Sequence, residues 1–303
     1  MAGRAPLNIN HAYQKAVSYS QYSTYSQCNF RWYLNYIKKE SAFSHTIHTV
    51  YGTAMHETPQ EYLQTMYEKS IKEADDIDIA KLLEEKFIET YKKAKEDNKG
   101  EHFSTKEELK EFLEDGIATL DWFKKHRARF FSKKYTKLVG IEIPILLPVL
   151  EDNPNIFING YIDFILYDEH DDKYTIYDIK TSTRGWQDKE KKDQIKLNQI
   201  LLYKRFYAKA MDVPEEKVDV KFFIVKRKVF ANPDFPIHRV QEFVPANGKK
   251  KVEGAYQDLS KFIRECFDGN AKYNTERVYE KNLDACKWCQ YKDRPDLCDR
   301  KNT

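Results

Sequence analysis

The chain has no apolar run long enough to cross a bilayer. Its first residues, "MAGRAPLNINHAYQKAV", also lack the apolar core of a secretory signal. These two absences give the expectation of a cytoplasmic protein that makes no membrane contact. Cysteine is scarce: five in 303 residues cannot form a disulfide scaffold for a chain of this size. No internal repeat and no low-complexity linker interrupts the sequence, which excludes solenoids and disordered arrays. No G-x-x-x-x-G-K-[ST] loop is present, so the chain is not itself a P-loop motor. A net charge of +3 leaves most partner classes open.

The periodicity divides the chain into a helical front, a central sheet and a helical tail. "SQYSTYSQCNFRWYLNYIKK" predicts one helix opened by Ser20 or Ser23. A second helix is expected after Gly52, with Pro59 restricting where its first regular turn begins. Residues 75–98 and 104–131 predict two long amphipathic helices joined by "EDNKGEH". "KLVGIEIPILL", "NIFINGYIDFILY" and "KYTIYDIKTS" then read as strands, the last two linked through "DEHDDK". A helix over 189–211, a strand "VDVKFFIVKRK" and a helix "KKVEGAYQDLSKFIRECF" follow. The fold class is α/β, a mixed central sheet flanked by helices. "KKHRARFFSKKYTK" and "KRK" interleave basic and aromatic residues, as a phosphate-tracking surface or a solvated face would.

The chemistry concentrates in the central strands. Asp163 interrupts an otherwise apolar strand, so its charge needs a partner or a metal. On the next strand Asp178 and Lys180, two residues apart, project to one side while Ile179 projects to the other. A hairpin would bring Asp163 and Asp178 onto one divalent cation such as Mg²⁺ or Mn²⁺, with Lys180 beside it to orient a water or stabilise phosphate charge. A buried ion-pair network explains the same three residues.

Strand-Asp, hairpin and Asp-x-Lys resemble the core of the PD-(D/E)XK nucleases, with a restriction-endonuclease-like fold. "GTAMH" (Gly52, His56) and "QILLY" (Gln199, Tyr203) make the sequence similar to the RecB-like branch. The resemblance implies that His56, Asp163, Asp178 and the Ile179 carbonyl bind metal. It implies that Lys180 assists the water and that Gln199 and Tyr203 support the site or touch DNA. Glu142 in "GIEIPI" falls where such nucleases often place an acidic strand residue, though a rim glutamate explains it equally well. Cys28 and the distant Cys286, Cys289 and Cys298 are similar to the one-plus-three cysteines of iron–sulfur nucleases of the AddB and CRISPR-adaptation type. They imply a [4Fe–4S] cluster, although the gap from Cys289 to Cys298 is longer than usual there, and spacing alone suits Zn²⁺ as well. Cys266 is expected to be a helix-packing residue.

The reading that results is a single nuclease domain over 1–303: a helical part at 20–135 (an N-terminal helical insertion), a nuclease core at 136–268 and a cluster-binding, cysteine-rich tail at 269–303. The expected activity is metal-dependent hydrolysis of DNA, as an exonuclease on single strands or duplex ends in replication, recombination or repair. A separate helicase or recombination protein is a possible partner. The alternatives are a CRISPR-adaptation-type trimming nuclease and a non-catalytic DNA-binding scaffold.

Overall fold

The computed structural model describes residues 9–10, 13–40, 45–230 and 236–299. A short strand β1 (Lys15–Ser18) passes directly into α1 (Tyr19–Gln27), whose first turn is capped by Ser18 Oγ accepting from the Gln21 N–H. The single helix expected from Ser20 or Ser23 breaks at Cys28. That residue is extended, and its Sγ caps α2 (Asn29–Trp32), which continues into a π-helical turn, Tyr33–Ile37.

α3 (Ile47–Glu68) starts five residues before Gly52, at a Thr46/Thr49 capping box, and runs through Pro59. Pro59 removes one N–H donor from the helix ladder. The long buried face around it, including Tyr51, Met55, Tyr62 and Met66, holds the helix together across that missing rung. The helix expected over 75–98 is likewise split. α4 (Ile71–Asp75) is separated by a turn from α5 (Ile79–Asp97), which Asp78 caps. α6 (Lys106–His126) opens on a Thr105/Glu108 capping box.

β2 (Thr136–Pro148), β3 (Ile156–Asp168) and β4 (Lys173–Ser182) form the expected meander. The helix expected over 189–211 divides into α7 (Asp188–Lys192) and α8 (Gln194–Met211), because Asp193 turns extended and caps α8. β5 (Val218–Lys226), β6 (Val240–Phe243) and α9 (Lys249–Cys266) complete the described elements.

The sheet order is β1-β3-β4-β5-β6, with β2 also paired to β3. β1 and β4 run parallel to β3 and β5 respectively, and the remaining pairings are antiparallel. α1, α8 and α9 cover one face, and α3, α5 and α6 the other, so the sheet separates two apolar cores.

Trp32 is fully buried at the centre of the first core. Its ring meets Tyr25, Tyr36, Phe262, Phe267, Tyr273 and Tyr279, with centroids 5.4–6.2 Å away. It thereby joins the N-terminal helices to α9 and the tail. Trp32→Ala should cost about 3–5 kcal/mol in urea unfolding, against a change within about 0.5 kcal/mol for the exposed Val278→Ala.

Candidate active site

β3 changes neighbours along one of its edges. β2 occupies the other edge from Phe157 to Asp168. On the edge in question β1 pairs with Ile156–Asn159, and β4 takes over only from Phe164. Residues Gly160 to Asp163 therefore face a gap between the end of β1 and the body of β4. The alternation of side chains also breaks there: Ile162 lies in the first core and Phe164 in the second. Opposite this point Glu142 has a positive φ of 50°, a conformation that side chains other than glycine adopt at a cost.

The gap gathers the site. Asp163 Oδ2 accepts from the Ile179 N–H at 2.5 Å and lies 3.4 Å from His56 Nδ1. The carboxylate thus satisfies a β4 donor where the β3–β4 ladder has ended. Asp178 is buried on β4, and its Oδ2 lies 2.8 Å from Lys180 Nζ. That ion pair is poorly aligned as a hydrogen bond, and Oδ2 has no other donor. Lys180 Nζ donates to Gln199 Oε1 at 2.8 Å, and Gln199 Nε2 donates to the Tyr203 hydroxyl at 3.2 Å. Tyr203 fits because Gly160 has no side chain: a Cβ there would lie 3.1 Å from the Tyr203 oxygen.

The electrostatics differ between the two aspartates. Burial pushes Asp178 up to about 6; Lys180 offsets part of this and the Asp163 charge adds to it. Burial acts on Asp163 too, yet His56, Lys180 and the Ile179 N–H outweigh it and hold its carboxyl below the ordinary range. Burial opposes the charge of His56, but the facing Asp163 carboxylate more than compensates and raises its pKa.

Gln60, one helical turn beyond His56 on α3, is part of the site although the sequence patterns did not single it out. Its buried amide donates to Glu142 Oε1 and to the Asp163 carbonyl, both at 3.0 Å. The available signal was the i,i+4 spacing of His56 and Gln60 on one helix face. Glu142 is therefore tied into the site rather than left at a rim. Ile179, whose carbonyl the resemblance offers as a ligand, is fixed by its buried side chain and its N–H bond to Asp163.

A divalent ion suits this donor set: a buried carboxylate oxygen lacks an aligned donor, and a second carboxylate stands one strand away. Among the described residues no three His, Cys, Asp or Glu side chains are gathered to hold one ion by themselves. Mg²⁺ commonly needs only one or two carboxylates and keeps several waters.

The cysteines form a separate group. Cys28, Cys286, Cys289 and Cys298, all reduced, line one cavity together with Phe30, Leu34 and Tyr291. Cys28 Sγ accepts the N–H groups of Arg31 at 3.5 Å and Asn282 at 3.4 Å. Burial pushes the Cys298 thiol up; Lys281 opposes this, while the sulfurs of Cys289, Cys28 and Cys286 add to it. Cys266 is buried in the first core, as expected of a packing residue.

The basic clusters are largely committed to the protein itself. Arg227 and Lys228 pair with Glu111 and Asp115. Arg127 pairs with Asp75, Lys137 with Glu169, and Lys124 and Lys133 donate to backbone carbonyls.

Asp163, Asp178 and Lys180 are thus brought together at the break of a mixed sheet. A family model of the PD-(D/E)XK nuclease superfamily matches residues 16–294. The chain belongs to that superfamily, whose members are generally nucleases that use Mg²⁺ or Mn²⁺. No curated protein matches it with significance. Within the described residues no helix is long and apolar enough to cross a membrane.

Gln60→Leu keeps the volume of the side chain and removes its amide. The variant should lose about 1–3 kcal/mol in urea unfolding, because Glu142 and the Asp163 carbonyl each lose a buried donor. DNA cleavage by the folded variant should fall with it, measured as initial rate on end-labelled DNA.

Proposed function

We propose that the protein is a RecB-like, metal-dependent deoxyribonuclease that acts as an exonuclease on single strands or duplex ends. The observation that carries the reading is the placement of two buried aspartates beside Lys180 at the strand gap. Asp163 and Asp178 would hold the ion, with His56 and Glu142 beside them. When bound, Mg²⁺ or Mn²⁺ supplies Lewis-acid stabilisation of the phosphate and a more acidic water. His56 and the Ile179 N–H keep Asp163 ionised and aimed. Gln199, itself bonded to Tyr203, fixes the Lys180 ammonium, which is then placed to orient the attacking water or to meet developing charge on phosphate.

Asp163→Ala and Asp178→Asn should each abolish divalent-dependent cleavage while retaining the fold. Lys180→Ala should lose activity but keep metal binding. End-labelled single- and double-stranded DNA, incubated with Mg²⁺, Mn²⁺ or chelator, is the assay. Full turnover by either aspartate variant would refute the site; binding without any cleavage by the parent protein would favour a non-catalytic DNA-binding role.

The same proposal assigns the helices preceding β2 to an insertion and the cysteine cavity to a [4Fe–4S] cluster. Four thiols converge on one cavity, and a backbone-bonded Cys28 sulfur is the environment a cluster thiolate uses. By cysteine spacing alone a lone zinc fits as well. Anaerobically purified protein should be brown, with about four irons per chain, and Cys28→Ser should lose iron and solubility. Colourless protein with one zinc would replace the cluster and leave the nuclease reading in place.

A further inference from the structure

The segments that carry the cysteines meet through one dipeptide, Lys281–Asn282. Helix α1 ends at Gln27, immediately before Cys28, and its last carbonyls have no partners inside the helix. Asn282 Nδ2 donates to the Gln27 carbonyl at 2.8 Å, and the Asn282 N–H donates to Cys28 Sγ at 3.4 Å. Cys28 is thereby held at its own sulfur and at the residue before it.

The same residue opens the short 3₁₀ helix Leu283–Trp288, which carries Cys286. Asn282 Oδ1 accepts from the Asp284 N–H at 3.2 Å. Its carbonyl accepts from the Ala285 N–H at 3.2 Å and stands 3.8 Å from Cys286 Sγ. Cys289 follows in a tight turn, its N–H donating to the Cys286 carbonyl at 3.1 Å. Lys281 reaches the remaining stretch: its Nζ donates at 2.6 Å to the carbonyl of Asp299, next to Cys298. The dipeptide thus touches each of the three stretches that supply the four sulfurs of the cavity. An amide is needed for this, because it offers a donor to Gln27 and an acceptor to Asp284 at once; a carboxylate offers only the acceptor.

We infer that Asn282 is the positioning residue of the cysteine site: its side-chain amide holds the Cys28 segment against the Cys286 turn, so that sulfurs from opposite ends of the chain bind one metal group. The inference rests on the reading of the four cysteines as a single metal site. Groups that orient metal ligands by hydrogen bonds govern how firmly the metal is kept. A general tether between tail and body is supplied elsewhere, by Arg277, which pairs with Glu265 at 3.1 Å and reaches the Tyr25 hydroxyl at 3.5 Å.

The test compares Asn282→Asp, Asn282→Ala and Arg277→Ala with the parent protein, each as the full chain purified anaerobically. Iron and zinc per chain are measured first, then the rate of metal loss to excess EDTA. Asn282→Asp keeps the acceptor for the Asp284 N–H and loses the donor to Gln27, so the tail turn still folds and only the bridge is broken. It should lose metal about 10- to 100-fold faster than the parent, the usual effect of removing a group that orients a ligand. Asn282→Ala should lose it at least as fast. Arg277→Ala should lower the melting temperature and yet lose metal at the parent's rate. Parent-like metal loss in Asn282→Asp, or equally fast loss in Arg277→Ala, would overturn the inference. If the parent carries one zinc instead of iron, the cluster reading fails, while faster zinc loss from Asn282→Asp still supports the inference. A parent that binds no metal at these cysteines removes both.

Discussion

Everything at the site depends on one constraint: a strand edge can hold only one neighbour at a time. β3 is long, and one of its edges is shared between β1 and β4, whose pairings leave four residues between them unpaired. Between them the backbone groups that a ladder would satisfy must find other partners. Asp163 meets one of these needs by accepting the Ile179 N–H. A carboxylate is thereby drawn into the sheet, where apolar neighbours would otherwise exclude it. His56 and Gln60 enter from the α3 side, and Lys180, Gln199 and Tyr203 from the α8 side. The gap is where the two layers of helices reach each other through the sheet.

The arrangement is stabilised from outside the site. Helix α3 tolerates Pro59 because its buried face spans the weak rung, and so it presents His56 and Gln60 one turn apart. On the other face, packing around Trp32 anchors α1 to α9. A strained Glu142 and an uncomfortable Asp178 are affordable only in such a frame.

Much of this was legible in the sequence. The three meander strands, β5 and α9 have the expected type and nearly the expected bounds, since long stretches with a clear period declare themselves. The spacing of Gln199 and Tyr203 correctly implied that they meet. β1 and β6 were not visible, because four residues carry too little period and owe their conformation to the sheet they join. Helix breaks at Cys28, Asp78 and Asp193 were also missed. In each case a side chain takes a backbone N–H of the next helix, a local competition that hydrophobic period does not register. Gln60 and the gap itself depend on pairing between distant segments. The acidic partners of Arg227 and Lys228 do so as well, and a basic run in sequence became an internal ion-pair network.

The contact between Cys28 and the N–H of Asn282 joins residues 254 apart in the chain. During synthesis at about 5–20 residues per second, roughly 13–50 s separate the two ends. Until the second end emerges, α1 has no tail to pack against and the cysteine cavity lacks most of its wall. The order of synthesis therefore acts as a timer: the strands that carry the aspartates are complete about a hundred residues before the clasp that holds α1 beside them.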